Sequence, residues 1–157
     1  MAITVPFDLG YEFEVNAPFA EVFSVLADVP TSASHFPKLA RLVDLGDASY
    51  RWEMERVGTA SAHLQAVYAS HYVADKKKGR VVWTPLAGQG NALVGGSWAI
   101  THKKTFTHLV LQLDGELHLP LPALMTALVA PVVVSEFEKL VEQYIANLIK
   151  RFGGEHA

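Results

Sequence analysis

The strongest constraint on the fold is a strict alternation of apolar and polar residues near the start of the chain. Every second residue from 7 to 15 is apolar, in the order Phe7, Leu9, Tyr11, Phe13 and Val15. The residues between them are acidic or glycine. A period of two places all five apolar side chains on one face of a β-strand. Such a strand is stable only when its apolar face packs against a second layer of structure.

Alternating segments return along a stretch that begins near position 39 and ends near position 119. Asp75–Gly79 has the composition of a tight hairpin turn between two of these segments. The predicted strands within this stretch include residues 51–55, 63–73, 80–83, 92–102 and 105–119. Short strands in series with tight connections predict an antiparallel meander.

Two regions have helical spacing instead. After the first strand, Pro18 suits a first helical turn, and the helix that it begins ends before Pro30. One or two further helical turns are predicted for residues 31–36. The second region is a long helix over residues 121–152, in which Pro131 removes a backbone donor. We expect a kink at that proline, or two separate helices.

Length and composition bound the class of protein. A chain of 157 residues fits one domain, predicted here to span residues 1–157. Half of the residues are hydrophobic and 18% are charged, which excludes a disordered acidic or basic chain. The net charge of −3 argues against nucleic-acid binding, and the absence of cysteine excludes disulfides and thiolate chemistry. No signal peptide or membrane-length apolar run is seen, so we expect a cytoplasmic protein without stable membrane insertion.

Four stretches of the sequence carry a family resemblance. They are residues 15–28, which begin Val-Asn-Ala-Pro, the pair Asp28–Val29 with Phe36–Leu39, the segment Gly95–Ile100, and the terminal helix. On these stretches the chain resembles the SRPBCC (START/Bet v 1-like) superfamily, especially its polyketide cyclase/dehydrase and lipid-transport branch. The resemblance implies an α+β helix-grip fold, in which a curved antiparallel sheet of about seven strands wraps around a long C-terminal helix. It also implies two short helices after the first strand, and a hydrophobic-ligand pocket between the sheet and the long helix.

The inward-facing residues supply the candidates for the walls of that pocket. Aromatic residues with a polar tip need a partner for the tip when they face inward, and a bound polar group or water supplies one. The candidates are Tyr11, Phe36, Trp52, Met54, Tyr68, Tyr72, Trp83, Trp98, Leu111, Leu113, Met125, Phe137 and Tyr144. For the leucines, plain core packing is the alternative interpretation.

Fewer residues are candidates for chemistry. Tyr68, Tyr72 and His102 are the residues that could act as acids, bases or hydrogen-bonding groups in the pocket. The seven histidines form no His-x-x-x-His pair and cysteine is absent, so we expect no metal site and no cofactor. The sequence contains no nucleophile elbow and no glycine-rich phosphate loop before a helix.

Three functions remain open at this point. The leading hypothesis is the non-enzymatic binding or transport of a small hydrophobic molecule, such as a lipid, quinone, polyketide or aromatic metabolite. The first alternative is a polyketide cyclase, aromatase or dehydratase that uses the same pocket. The second alternative is an accessory or chaperone subunit of a larger complex. A protein partner or a homodimer stays open under each of the three.

Overall fold

The computed structural model describes residues 3–58 and 63–156. Within them, one strand is followed by two short helices, eight further strands and one long helix. The strands are β1 Ile3–Val15, β2 Leu39–Gly46, β3 Ser49–Met54, β4 Val57–Gly58, β5 His63–Leu64, β6 Val67–Asp75, β7 Arg80–Leu86, β8 Ala92–His102 and β9 Thr107–Leu119. The helices are α1 Phe19–Ala27, α2 Val29–Ala33 and α3 Thr126–Arg151, with a 3₁₀ turn at Ala123–Met125 before α3.

Seven strands form one antiparallel sheet in the order β1-β9-β8-β7-β6-β3-β2. The short strands β4 and β5 pair only with each other. Side chains of α3 and of the two short helices pack against the inner face of the large sheet. This is the helix-grip arrangement, so the predicted α+β class, the seven-stranded sheet, the two short helices and the long C-terminal helix are confirmed.

The longest strand pairing is between β1 and β9. β1 begins at Ile3, which is earlier than the alternation predicts, and it pairs without a break from Ile3 opposite Leu119 to Val15 opposite Thr107. Facing residues of an antiparallel pair point to the same side of the sheet. The apolar faces of the two strands therefore form one continuous surface beneath α3.

The predicted strand over residues 63–73 is interrupted. β6 begins at Val67, and Gln65 and Ala66 belong to no strand. The side chain of Asn91 explains the break, because its Oδ1 accepts a hydrogen bond from the Val67 backbone at 2.8 Å and its Nδ2 donates to the Gln65 carbonyl at 2.9 Å. A side-chain amide here satisfies backbone groups that a regular ladder would pair with another strand.

The long helix differs from the prediction at its start. A 3₁₀ turn occupies residues 123–125, and α3 then runs without a break from Thr126 to Arg151. Pro131 lies inside the helix, so the alternative of two separate helices is wrong. The proline is exposed and only five residues after the first residue of α3, where its missing N–H costs a single bond to a carbonyl one turn earlier.

The core lies between the sheet and the second half of α3. Trp98, Leu109 and Leu111 of the sheet are almost completely buried there. The buried residues of α3 all belong to its second half, and they are Val141, Tyr144, Ile145 and Leu148. The first half of α3 has no buried residue. The two halves of one helix therefore contribute very differently to the core.

Two absences apply to the described residues. None of their helices has the length together with the apolar character needed to cross a membrane. The same residues contain no group of three histidine or carboxylate side chains arranged to hold a metal ion.

Candidate ligand-binding pocket

Two adjacent cavities lie on the inner face of the sheet. The inner cavity has a volume of about 50 Å³ and is lined by residues of the sheet, of the short helices and of α3. The outer cavity has a volume of about 320 Å³ and lies between the first half of α3 and the sheet. Tyr68, Val94 and Phe137 line both cavities, so these three side chains stand between them.

Aromatic rings make most of the wall of the inner cavity. All three tryptophans of the chain line it, namely Trp52, Trp83 and Trp98. The Trp52 ring stacks on Tyr68 with ring centroids 5.8 Å apart. Trp83 of β7 lies opposite residue 96 of β8, which is glycine. A Cβ atom at residue 96 would lie 2.9 Å from the Trp83 indole. Gly96 thus permits the close approach that places the indole on the cavity wall.

The inner cavity also contains hydroxyl groups. The Trp52 indole donates a hydrogen bond to the Tyr72 hydroxyl at 2.9 Å. The hydroxyls of Ser32 and Tyr144 are hydrogen bonded to each other. The Tyr68 hydroxyl has no hydrogen-bond partner among the side chains that the structure describes. A small polar region therefore lies within a cavity whose remaining wall is apolar.

Burial keeps these phenols in their neutral form. Desolvation raises the pKa of Tyr144 to about 12, although hydrogen bonds from Ser32 and Trp98 act in the opposite direction. Desolvation likewise raises the pKa of Tyr68 and of Tyr72 above the ordinary tyrosine value. Each phenol is therefore a protonated hydrogen-bond donor near neutral pH rather than a base.

The outer cavity is almost entirely apolar. Phe7, Leu117 and Leu119 line it from the sheet, and Val133 and Leu140 line it from α3. Gln65 and Glu136 supply the polar groups besides Tyr68, and no lysine or arginine is among the described residues that line it. Apolar walls with few polar groups are typical of sites for small hydrophobic molecules.

Comparison with known proteins identifies the fold. No protein-family model matches the chain, and no curated protein matches it either. Among solved structures, a START superfamily protein from Mycobacterium smegmatis matches with a TM-score of 0.65 and 18% identity, over 93% of this chain and 97% of that one. The chain has the START-like fold.

Other solved structures with a similar fold are about as distant in sequence. A protein from Thermus thermophilus matches with a TM-score of 0.68 and 17% identity, over 93% of this chain and 97% of that chain. The Zhui aromatase/cyclase from a Streptomyces species matches with a TM-score of 0.60 and 18% identity, over 92% of this chain and 90% of that chain. At these identities the likeness is one of fold.

Ten of the thirteen residues predicted for the pocket wall surround the inner cavity of this START-like fold. They are Phe36, Trp52, Tyr68, Tyr72, Trp83, Trp98, Leu111, Leu113, Phe137 and Tyr144. Their role in binding stays a prediction. Alternation along the strands brought seven of them to one face of the sheet, whereas Phe36 follows α2 and Phe137 and Tyr144 belong to α3. The cavity lies where α2 and α3 leave that face incompletely covered.

The other predicted residues lie elsewhere. Tyr11 is half-buried, and desolvation with the nearby charges of Glu142 and Glu138 raises its pKa. Met54 is buried in the core, and Met125 is half-buried at the end of the 3₁₀ turn. None of Tyr11, Met54 and Met125 lines either cavity.

His102 does not join the tyrosines. It is exposed at the end of β8 and lies edge-on to the Phe19 ring at 6.3 Å. His102 lies on the same face of β8 as Trp98. The end of β8 that carries His102 lies beside the start of α1 and away from both cavities. Parity predicts a face of the sheet and does not predict the position along the strand that a cavity occupies.

Sequence reasoning missed other residues that line the cavities. Val94 has the same parity as Trp98 in β8, so alternation alone could have identified it. Ser32 could not be found in this way, because it reaches Tyr144 only through the packing of α2 on α3. Ala92 and Val133, which line the outer cavity, were also not among the predicted residues.

Proposed function

We propose that this chain binds a small hydrophobic molecule in the outer cavity, beneath the first half of α3. The observation that carries the proposal is the cavity itself, with about 320 Å³ of volume and a nearly uncharged wall. Volumes of this size are at the lower end of those that hold small organic ligands. A lipid tail, a quinone, a polyketide or an aromatic metabolite has suitable surface chemistry.

The energetics favour an apolar occupant. Val132 remains 60% exposed and Leu140 is half-buried, although both line the cavity. Each Å² of apolar surface that a ligand covers contributes roughly 25 cal/mol, on the ligand and on the wall alike. A bound ligand therefore covers apolar surface that is accessible to water in the folded chain alone.

A pair of alanine-to-phenylalanine variants tests the proposal. Ala66 lines the outer cavity, whereas Ala146 is exposed on the second half of α3. We expect Ala66→Phe to fill part of the cavity and to weaken binding of an apolar fluorescent dye about tenfold or more. Ala146→Phe adds the same side chain outside the cavity and leaves the dye affinity unchanged.

Mass spectrometry gives a second readout on the unmodified chain. Organic extraction of protein purified from its own host should release an apolar passenger that Ala66→Phe carries at a lower occupancy. Equal dye affinities in the two variants, together with the absence of any passenger, would exclude the outer cavity as a binding site.

A second candidate is a cyclase or aromatase reaction in the space that the outer and inner cavities form together. The three neutral phenols favour it, because a buried phenol that donates to a carbonyl oxygen stabilises the enolate that forms in aldol-type cyclisation. The fold is shared with the Zhui aromatase/cyclase and with a two-domain aromatase/cyclase of steffimycin biosynthesis, half of which this chain covers.

The cyclase candidate has its own test. A poly-β-keto substrate is incubated with the wild-type chain, with Tyr72→Phe and with His102→Ala. We expect Tyr72→Phe to lower the yield of cyclised product and His102→Ala to leave the yield unchanged, because His102 lines neither cavity. Product yields that are the same with and without the protein would exclude this function.

A further inference from the structure

The inner cavity contains hydroxyl groups whose protons are not all used by the described residues. The Tyr72 hydroxyl accepts a hydrogen bond from Trp52, and no described residue accepts its own proton, which leaves that proton for a ligand. The Tyr68 hydroxyl has no partner among the described side chains. Both groups line the same space of about 50 Å³. Polar groups in such a space ordinarily bind a water molecule or a polar group of a ligand.

The inner cavity also lies next to the proposed binding site. Tyr68, Val94 and Phe137 line both spaces, and Phe137 belongs to the first half of α3. Phe137 is only half-buried, with its ring packed on Phe7 at 4.8 Å. A ligand that occupies the outer cavity therefore has the phenols at its inner end, beyond the three side chains shared by the two cavities, of which Phe137 is only half-buried.

The charge of the lining selects among the polar groups that a ligand could present. No lysine, arginine or histidine lines either cavity among the described residues, and the charged group on the wall is the exposed Glu136 carboxylate. A buried carboxylate without a cationic partner is strongly disfavoured, and Glu136 would add repulsion. A neutral acceptor has no such cost and accepts the phenol protons directly.

We propose that the inner cavity receives an uncharged carbonyl oxygen of the ligand, which accepts hydrogen bonds from Tyr68 and Tyr72 while the apolar body fills the outer cavity. This inference rests on the proposed binding function and narrows its ligand class. Ketones, aldehydes and quinone-type carbonyls carried on an apolar body belong to the class. Free carboxylic acids in their ionised form do not belong to it.

Three probes of similar size and shape test the carbonyl preference. 2-Nonanone carries the carbonyl, 2-methyl-1-nonene replaces the oxygen by a methylene group, and octanoate replaces the head with a carboxylate. Binding of each probe is measured by its displacement of the same apolar fluorescent dye, because a carbonyl quenches tryptophan emission directly and an alkene does not. We expect the ketone to bind about four- to a hundredfold more tightly than the alkene, since each of the two hydrogen bonds contributes a factor of about two to ten.

Two variants assign the effect to the phenols. Tyr68→Phe and Tyr72→Phe should each reduce the ketone-to-alkene affinity ratio towards one, and they should leave alkene affinity nearly unchanged. Tyr50→Phe is the matched control, because Tyr50 packs against Tyr72 at 6.0 Å but lines neither cavity. The control should retain the wild-type ratio.

The outcomes separate this inference from the function on which it rests. Alkene and ketone of equal affinity in the wild-type chain would overturn the carbonyl assignment and leave apolar binding intact. Octanoate that binds as tightly as the ketone at neutral pH would overturn the exclusion of carboxylates. Absence of binding for all three probes would overturn the binding function and this inference together.

Discussion

The two halves of α3 differ although they belong to one continuous helix. In residues 141–151 the helix buries Val141 and Leu148 completely against the sheet. In residues 126–140 it buries no side chain, and Leu128 remains 71% exposed. The second half holds the fold together, whereas the first half covers a cavity. Burial along one helix thus distinguishes the part of α3 that packs into the core from the part that covers the outer cavity.

The largest expected difference between the two halves is in stability. Leu148→Ala removes a fully buried side chain and should lower the free energy of unfolding by about 2–5 kcal/mol. Leu128→Ala removes an exposed side chain and should change it by less than about 0.5 kcal/mol. Urea unfolding of both variants measures the difference. Equal losses would show that the two halves of α3 pack alike.

High pH should reveal the buried phenol on the second half. The pKa of Tyr144 is raised from the ordinary value of 10.0 to about 12, so the folded chain holds this proton more tightly than the unfolded chain. The resulting stability is complete below pH 10 and is lost as the pH rises through about 12, by on the order of 3 kcal/mol. Unfolding measured across this range in the wild type and in Tyr144→Phe isolates the contribution. The same slope in both proteins would contradict it.

A smaller effect is expected at the hydrogen bond between α2 and α3. Tyr144→Phe leaves the buried Ser32 hydroxyl without its partner, which should cost about 1–3 kcal/mol. The double variant Ser32→Ala/Tyr144→Phe removes both polar groups and should recover part of that loss. Thermal unfolding of the wild type, the two single variants and the double variant completes a double-mutant cycle. Strictly additive losses would show that the two hydroxyls do not interact.

The smallest global effect is expected in the first half. Pro131→Ala restores a backbone donor and should slow hydrogen exchange in residues 126–135. Because no side chain of this half is buried, the free energy of unfolding should rise by less than about 1 kcal/mol. A large rise in global stability would show that the first half belongs to the cooperative core.

Much of the fold follows from the sequence because strand and helix periodicity depend on local residue order. Alternation placed Trp52, Tyr68 and Trp98 on the inner face, where the structure has them buried. The hairpin at Asp75–Gly79 was also predictable, since Gly79 adopts a positive φ of 64° that glycine accepts readily.

Other features depend on contacts between residues that are far apart in sequence. The Ser32–Tyr144 hydrogen bond joins residues separated by 112 positions, and the Asn91 side chain that interrupts the strand before Val67 acts across a hairpin. The separation of an inner from an outer cavity depends on how α3 lies over the sheet. Periodicity predicts which residues face inward, but packing decides how much space remains between them.

The decisive measurement is hydrogen exchange along α3 with and without bound 2-nonanone. We expect the ligand to slow exchange in residues 126–140 and to leave residues 141–151 unchanged, because the half of α3 that lines the outer cavity is the half without a buried side chain. Slowed exchange confined to residues 141–151, or no change in α3 while the probe binds, would contradict the assignment of the first half as the cover of a ligand-binding cavity.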